Sequence, residues 1–462
     1  MSSELTRRGF LGGAAAVTLA ACASETEGPR PTGQAAGGPQ VTYAPPTSKL
    51  SGDLTILMWS HFVPSHDAWF KGFVQDWGRR AGVNVRVDQI SVNDLPARIA
   101  AEMQAGQGHD LLQNITTLSQ YEPGVHDLTD VVKEADNRWG KQLDLCRKSS
   151  FNPNTEKFYA FSPGWSPDPG DYRKSLWSEA GFPNGPATWD DLLRGGAEIK
   201  RRKNVQMGLG MAQEVDSNMA ARACLWSFGA AEQNEQEEVT LRSDAAVAAV
   251  EYMVRLFKET MTNEIFSWNA ASNNQGLVAG KLSYILNSIS AWRTAQSANP
   301  AVADDIFFVP ALRGPAKALA AQHVMYNWII PRHARNVDAA KEFLLHYTAN
   351  FAAVTYHSRL YDLPAWPSLV PQLNGWLDND PFGAKPANKL SLLKTAVDWS
   401  VNIGYPGPAN PAVGEVLGTF VLPNMMARAA RGEATPARAV QDADREVRRI
   451  FDNWRRRGLV AG

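Results

Sequence analysis

Cysteine is scarce in this chain: 462 residues carry three, Cys22, Cys146 and Cys224. Three thiols cannot staple a loop-rich fold, so stability has to come from a buried apolar core. Cys146 and Cys224 read as two buried thiols. Pairing in an oxidising compartment stays open, because sequence does not show how near they are. An excess of charge is missing too, since 46 Lys and Arg face 47 Asp and Glu, a formal net charge of −1. That removes the basic field a nucleic-acid partner requires. The basic tail "RRIFDNWRRRG" reads as a solvated helix end, where cations complement the dipole. The apolar stretch Phe10 to Ala21 falls short of the ~20 residues that span a bilayer. The eight histidines stand without HExxH or Cys-x-x-Cys, and there is no GxSxG, P-loop or strand-linked GxGxxG. No metal, no cofactor and no catalytic residue is therefore expected, and no internal repeat is seen.

What is present begins at the N-terminus with "TRRGFLGGAAAVTLAACAS". A positive start, a short apolar stretch and a small-residue boundary describe an export signal. Arg7-Arg8 followed by Gly9-Phe10-Leu11 resembles the twin-arginine signal of bacteria. Leu19-Ala20-Ala21-Cys22 resembles the lipobox of bacterial lipoproteins, in which the cysteine is lipidated and begins the mature chain. On this reading residues 1–21 are the signal. Residues 22–50, rich in Pro, Gly, Ser, Thr and Ala, are a flexible tether. Several acyl chains on Cys22 give stable attachment where one would be marginal. The body would then sit outside the cell membrane, or on its periplasmic side, held by lipid.

In the body, "LTILMW" (Leu54 to Trp59) reads as a buried strand. A helix over Asp67 to Arg80 follows, with Trp69, Phe70, Phe73, Val74 and Trp77 on one face. "VNVRVDQI" alternates as a strand. A helix capped by Asn93 or Asp94 runs to Gly106, and "DLLQNI" forms a third strand. Strand, helix, strand, helix, strand is a parallel α/β unit. The pattern returns: Ser243 or Asp244 opens a helix, while "KLSYILNS", "DDIFFVPAL" and "MYNWIIP" read as strands. Asp338 caps another helix, and the last begins at Thr435-Pro436.

"GDLTILMWSHF", "VNVRVDQIS" and "DLPARIAAEMQAGQGHDLLQ" resemble the opening of the family 1 extracellular solute-binding proteins of bacterial ABC importers, the group of the maltose-binding proteins. "KFYAFSPGW", "DYRKSLWSEAGFPNGPATWDDLLRGGAEIK", "LVAGKLSYILNSISAW", "DAAKEFLLHYTA" and "LPNMMARAARGEATPARAVQDADREVRRI" match further segments in order. The resemblance implies a two-lobe α/β fold of the periplasmic-binding type (type II), with a ligand cleft between the lobes and hinge crossings. We expect an N-terminal lobe of residues 51–165 plus 297–348 and a C-terminal lobe of 166–296 plus 349–462. The crossings are expected near Pro163–Pro169, Ala291–Ala298 and Thr348–Tyr356. The implied role is that of a monomeric, non-enzymatic receptor, which captures a mono- or oligosaccharide or related polyol and delivers it to the importer's membrane permease. Two departures stand out. "DYR" replaces the usual Tyr-Tyr-Asn, and His61 and His66 stand where sugar binders often place Asp, Asn or Lys.

Ligands of open α/β sheets bind beyond the carboxyl ends of the strands. That rule selects His61, Gln113, Asn114, Thr116, Trp165, Asp168, Asn287 and Trp292. Matching to the family adds Trp226, Trp268, Asn327 and Trp366. Indoles cover the apolar face of a sugar ring, and amides and carboxylates satisfy its hydroxyls. Trp165 and Asp168 are expected to face an open, wet cleft. A same-fold receptor for a glycerophosphodiester or polyamine is the alternative, although only Asp168 stands out as the carboxylate such a cation needs. A secreted carbohydrate-active enzyme using Asp168 and Asp171 is a weaker rival, because nothing places the second carboxylate at a strand end.

Overall fold

The computed structural model describes residues 38–462. The expected signal, lipobox and Cys22 lie outside them.

The apolar run "DLTILMW" forms β1 (Asp53–Trp59), buried continuously from Ile56. A parallel strand covered on both faces reads as apolar throughout, without alternation. β1 pairs in parallel with β2 (Asn84–Ile90) and β3 (Leu111–Asn114). Between β1 and β2 runs the helix Pro64–Ala81, stopped by Gly82 in the left-handed region at φ 76°, a conformation that costs glycine nothing. Its Phe70, Phe73 and Trp77 meet Phe343, His346 and Tyr347 of the helix Val337–Ala349. A small hairpin of β4 (Phe151–Asn152) and β5 (Lys157–Phe158) completes this side.

The chain then crosses on β6 (Gly164–Pro167) into β7 (Gly170–Arg173). In the second lobe β7 joins β8 (Gln206–Gly208), β9 (Leu282–Leu286) and β10 (Ile306–Val309), in the order β10-β7-β9-β8. Local signals set its helices. Thr188 and Asp191 form a capping box before Trp189–Lys203, Ser243 caps Asp244–Thr260 and Thr435 caps Pro436–Arg455, each satisfying orphan N–H groups. The chain returns on β11 (Ala320–Met325) to β12 (Asn327–Ile329), which adds to β3 and gives the first sheet the order β12-β3-β1-β2. β13 (Leu363–Pro364) and β14 (Ser400–Val401) flank the two crossing strands in a third sheet, ordered β13-β6-β11-β14. The molecule is thus a two-lobed α/β protein whose lobes are joined by a sheet of crossing strands. Cys146 and Cys224 are buried and free, and burial pushes both thiols up.

Several boundaries differ from those expected. β10, placed by the sequence in the first lobe, pairs with β7 in the second, so the return crossing falls at β11 and not near residue 297. Ala291–Ala298 lies within the helix Ser290–Ala298, and Thr348–Tyr356 belongs to the helices Val337–Ala349 and Phe351–His357. That second helix, assigned to the C-terminal lobe, packs on the first: Trp69 stacks on His357 at 5.1 Å and Ser65 Oγ donates to the His357 carbonyl at 2.7 Å. Of the three expected crossings, Pro163–Pro169 contains one. Residues 38–50 run along the first lobe and are not a free tether. Asn350 bonds the Thr42 N–H at 2.7 Å and its carbonyl at 3.0 Å, and the Thr47 N–H donates to Glu342 at 3.0 Å. Asn336, and not Asp338, caps its helix by accepting from the Ala339 N–H.

Candidate functional site

β1 ends at Trp59, and the turn after it carries His61 into the junction between the lobes. The His61 Nδ1 accepts from the Val63 N–H at 2.9 Å, which leaves Nε2 to face Asp362 at 3.1 Å. Tyr326, at the end of β11, donates its hydroxyl to the same carboxylate. His66 stacks on His61 at 4.4 Å and stands 4.0 Å from Asp362. Burial opposes the charge on Asp362, but His61, His66 and the Tyr326 hydroxyl outweigh it and hold the carboxyl below its usual range. Burial and the neighbouring His61 push His66 down. This is the first lobe's wall. Asn114, Thr116 and Asn327 gather beside it at the end of β3. Asn114 Nδ2 donates to Thr116 Oγ1 at 3.0 Å, and Asn327 accepts from Ser162 Oγ at 3.1 Å. Gln113 is buried with its Oε1 unpartnered.

The second lobe contributes the loop after β6, the end of β9 and the start of the helix Val215–Phe228. Asp168 Oδ1 meets His323 Nδ1 at 3.0 Å, and its Oδ2 has no partner. Burial lifts Asp168 above its usual range. It also opposes the charge on His323, but the Asp168 bond and the charges of Asp168, Asp216 and Glu214 raise the imidazole overall. Asn287 donates its backbone N–H to the Pro169 carbonyl at 3.2 Å and its side chain to Asn274, which bonds Ser290 at 3.0 Å. Trp268 is half-buried against Gly208. At the rim the Ala270 N–H reaches the Asn93 side chain, a contact from one lobe to the other.

His61, Asp168 and Asn287 thus stand at the lobe junction, while Gln113, Asn114, Thr116 and Asn327 sit at the β3–β12 end. Three tryptophans do not join them. Trp366 stacks on Phe161 at 5.5 Å and donates its N–H to Asp136 at 2.9 Å, within the first lobe's core. Trp226 packs edge-on to Tyr405 in the second lobe's core. Trp292 lies beneath Arg293 at 4.3 Å with its edge to Phe308. Trp165 lies on the central crossing strand, its indole N–H unpartnered. It is 1% exposed and Asp168 is 0% exposed, so neither faces an open cleft in this conformation. Asp171 does not flank Asp168 at a strand end. It is mid-strand, opposite Ile285 and Phe308, and burial pushes it well up.

The sequence did not single out His323, Glu214, Asp216, Tyr361 or Asp362 for the site. The one signal available was Glu214-Val215-Asp216-Ser217, acidic residues opening a helix. Nothing local marked the others. Among the described residues no group of three or more His, Cys, Asp or Glu is arranged to hold a metal ion.

A family model described as bacterial extracellular solute-binding protein matches residues 63–352. Solved structures share the fold. A solute-binding protein of an ABC transporter from Thermotoga lettingae, bound with α-D-tagatose, matches with TM-score 0.69 and 17% identity over 86% of this chain and 99% of that one. Maltose-bound MalE3 of T. maritima gives 0.70 and 18% over 86% and 100%. A sugar transporter protein of Arthrobacter chlorophenolicus with laminaribiose gives 0.72 and 16% over 86% and 99%. Proteins of Brucella abortus and Brucella suis named as binding proteins are 23% identical over 220 residues, 43% of this chain. The match spans about half the length of these relatives, 53%.

Proposed function

This chain belongs to the bacterial extracellular solute-binding proteins, and from that premise we propose that it captures a carbohydrate or related polyol between its lobes and delivers it to an ABC importer's permease. One observation carries the reading. Buried polar atoms without partners are found on the elements that meet at the junction: Trp59 Nε1, Asp168 Oδ2, Ser288 Oγ, Gln322 Oε1, Tyr361 OH and Asp362 Oδ2. Each such group costs ~1–3 kcal/mol if left unpaired. A polyhydroxylated solute supplies donors and acceptors to all of them, and Trp165 on the crossing strand supplies an indole. The structures bound with tagatose, maltose and laminaribiose support a solute of this class. Opening and closing about the crossing strands admits and encloses it. Export by the twin-arginine signal and lipid attachment at Cys22 keep the receptor beside its permease; among the described residues no helix is long and apolar enough to cross a membrane. A thermal-shift panel of sugars and polyols tests the reading. A ligand at 100 times its dissociation constant adds about 2.7 kcal/mol of stability, so at least one compound should raise the melting temperature saturably. A flat panel would refute the proposed solute class.

A further inference from the structure

Carboxyl groups outnumber cationic partners at the second lobe's side of the junction. Asp168, Glu214 and Asp216 are 0%, 6% and 8% exposed. The charges of all three act on one imidazole, that of His323. Among the described residues no Lys or Arg forms an ion pair with them. The buried guanidiniums are committed elsewhere, Arg222 to Glu232 and Arg293 to Asp380. Glu214 is explained by its helix: it takes the N–H groups of Asp216 and Ser217, both at 2.6 Å, and the Ser217 hydroxyl. Among the described residues Asp216 receives only Asn273 Nδ2 at 2.8 Å, on Oδ2. Asp168, among the same residues, receives only His323, on Oδ1.

A second observation is independent of the carboxylates. Tyr284 and Tyr361 bring phenol hydroxyls from two different elements, fully buried and without partners. The Tyr284 hydroxyl lies so close over Gly170 that a Cβ there would overlap it, which places it two residues from Asp168. Tyr361 lies within electrostatic reach of both Asp168 and Asp216, its ring edge-on to His323 at 6.5 Å. Phenols on both sides of an acidic site with an unused carboxylate oxygen describe a place for a ligand that carries donors and positive charge. A neutral hydroxyl donates one hydrogen bond and cancels no charge. An ammonium donates three and cancels one, and a buried charge is tolerated when it is paired.

We infer that the solute is a polyhydroxylated amine, an amino sugar or aminocyclitol, whose ammonium sits between Asp168 and Asp216 while Tyr284 and Tyr361 bond its flanking hydroxyls. The inference rests on the reading of the junction as the solute site. It also reverses the sequence-based argument against a cationic ligand, which saw one carboxylate where the fold brings three.

Calorimetric titration of the protein tests it, with glucosamine, a short glucosamine oligomer and 2-deoxystreptamine set against glucose, N-acetylglucosamine and myo-inositol, and with spermidine as a cation lacking hydroxyls. An aminated compound should bind at least about tenfold more tightly than its neutral counterpart. Asp168→Asn and Asp216→Asn should each shrink that ratio to about threefold or less. The wild-type comparison needs no variant and stands even if a substitution impairs folding. Neutral sugars binding as tightly as the amines would overturn the inference and leave the proposed function in place. Spermidine binding more tightly than every amino sugar, or a preference that survives both substitutions, would also overturn it. A panel in which nothing binds would overturn both.

Discussion

Removing the Asp362 carboxylate should cost this protein a large part of its stability. The side chain is 1% exposed, and its oxygens hold His61 Nε2 at 3.1 Å and the Tyr326 hydroxyl, with His66 at 4.0 Å. Asp362→Ala strands two buried donors, each at ~1–3 kcal/mol, and leaves a cavity beside them. The two donors together make about 2–6 kcal/mol. Asp362→Asn keeps the shape and one acceptor, so its cost should be smaller. The sign with pH follows from the lowered carboxyl. The stabilisation is complete above the unfolded value of about 3.9 and is lost as pH falls through the lower folded one. Urea denaturation of the ligand-free protein at pH 7 and at pH 3 measures this. The wild type's advantage over Asp362→Ala should shrink on acidification. A difference at pH 7 below about 1 kcal/mol would refute the reasoning and make the cluster a surface-like pair.

Other outcomes follow from single contacts. Asp110→Ala should lower stability by ~3 kcal/mol in the same assay, because one carboxylate accepts from the N–H and hydroxyl of Thr55 and from the N–H groups of Arg335 and Asn336. Asp380→Ala should destabilise by about 3–5 kcal/mol, whereas Arg293→Met with Asp380→Leu should come close to neutral, since the pair is buried and bidentate at 2.8 and 3.0 Å. His346, pushed down to about 4 mainly by burial, should make stability fall as pH drops from 6.5 towards 4, because there the unfolded chain binds the proton first; His346→Phe should flatten that slope in acid titrations of unfolding. Cys22→Ser should release the protein from the membrane fraction, and replacing Arg7 and Arg8 by Lys should block export, both read by fractionation.

The first lobe was legible in the sequence because its signals are local. β1 is a continuous apolar run, the helix Pro64–Ala81 shows one aromatic face, and Gly82 and Gly106 stop helices in left-handed turns. The caps at Ser243 and Thr435 were readable for the same reason. β11 was not, since "AAQHVM" has neither alternation nor a β-branched run, and pairing on both sides to β6 and β14 makes it a strand. Missing β11 moved the crossing to the wrong segment and hid His323. The tryptophans misled in the other direction. Trp366 sits in "LPAWPS", which reads as a loop, yet its N–H bonds Asp136, 230 positions away in the chain. Composition shows an excess of indoles; only the tertiary pairing shows which of them are core. Asp362 and Tyr361 lay in an unremarkable stretch for a similar reason, since their partners come from β1's turn and β11.

The central claim is that solute is held between the lobes by groups from both. Titration calorimetry of the tightest compound from the panel into the wild type, His61→Ala, Asn287→Ala and Trp366→Ala tests it most directly. His61 stands for the first lobe's wall and Asn287 for the second's, while Trp366 is core, bonded to Asp136. The account predicts that His61→Ala and Asn287→Ala each weaken binding by about tenfold or more, with Trp366→Ala binding like the wild type wherever it is folded. Wild-type affinity in both junction variants would contradict it.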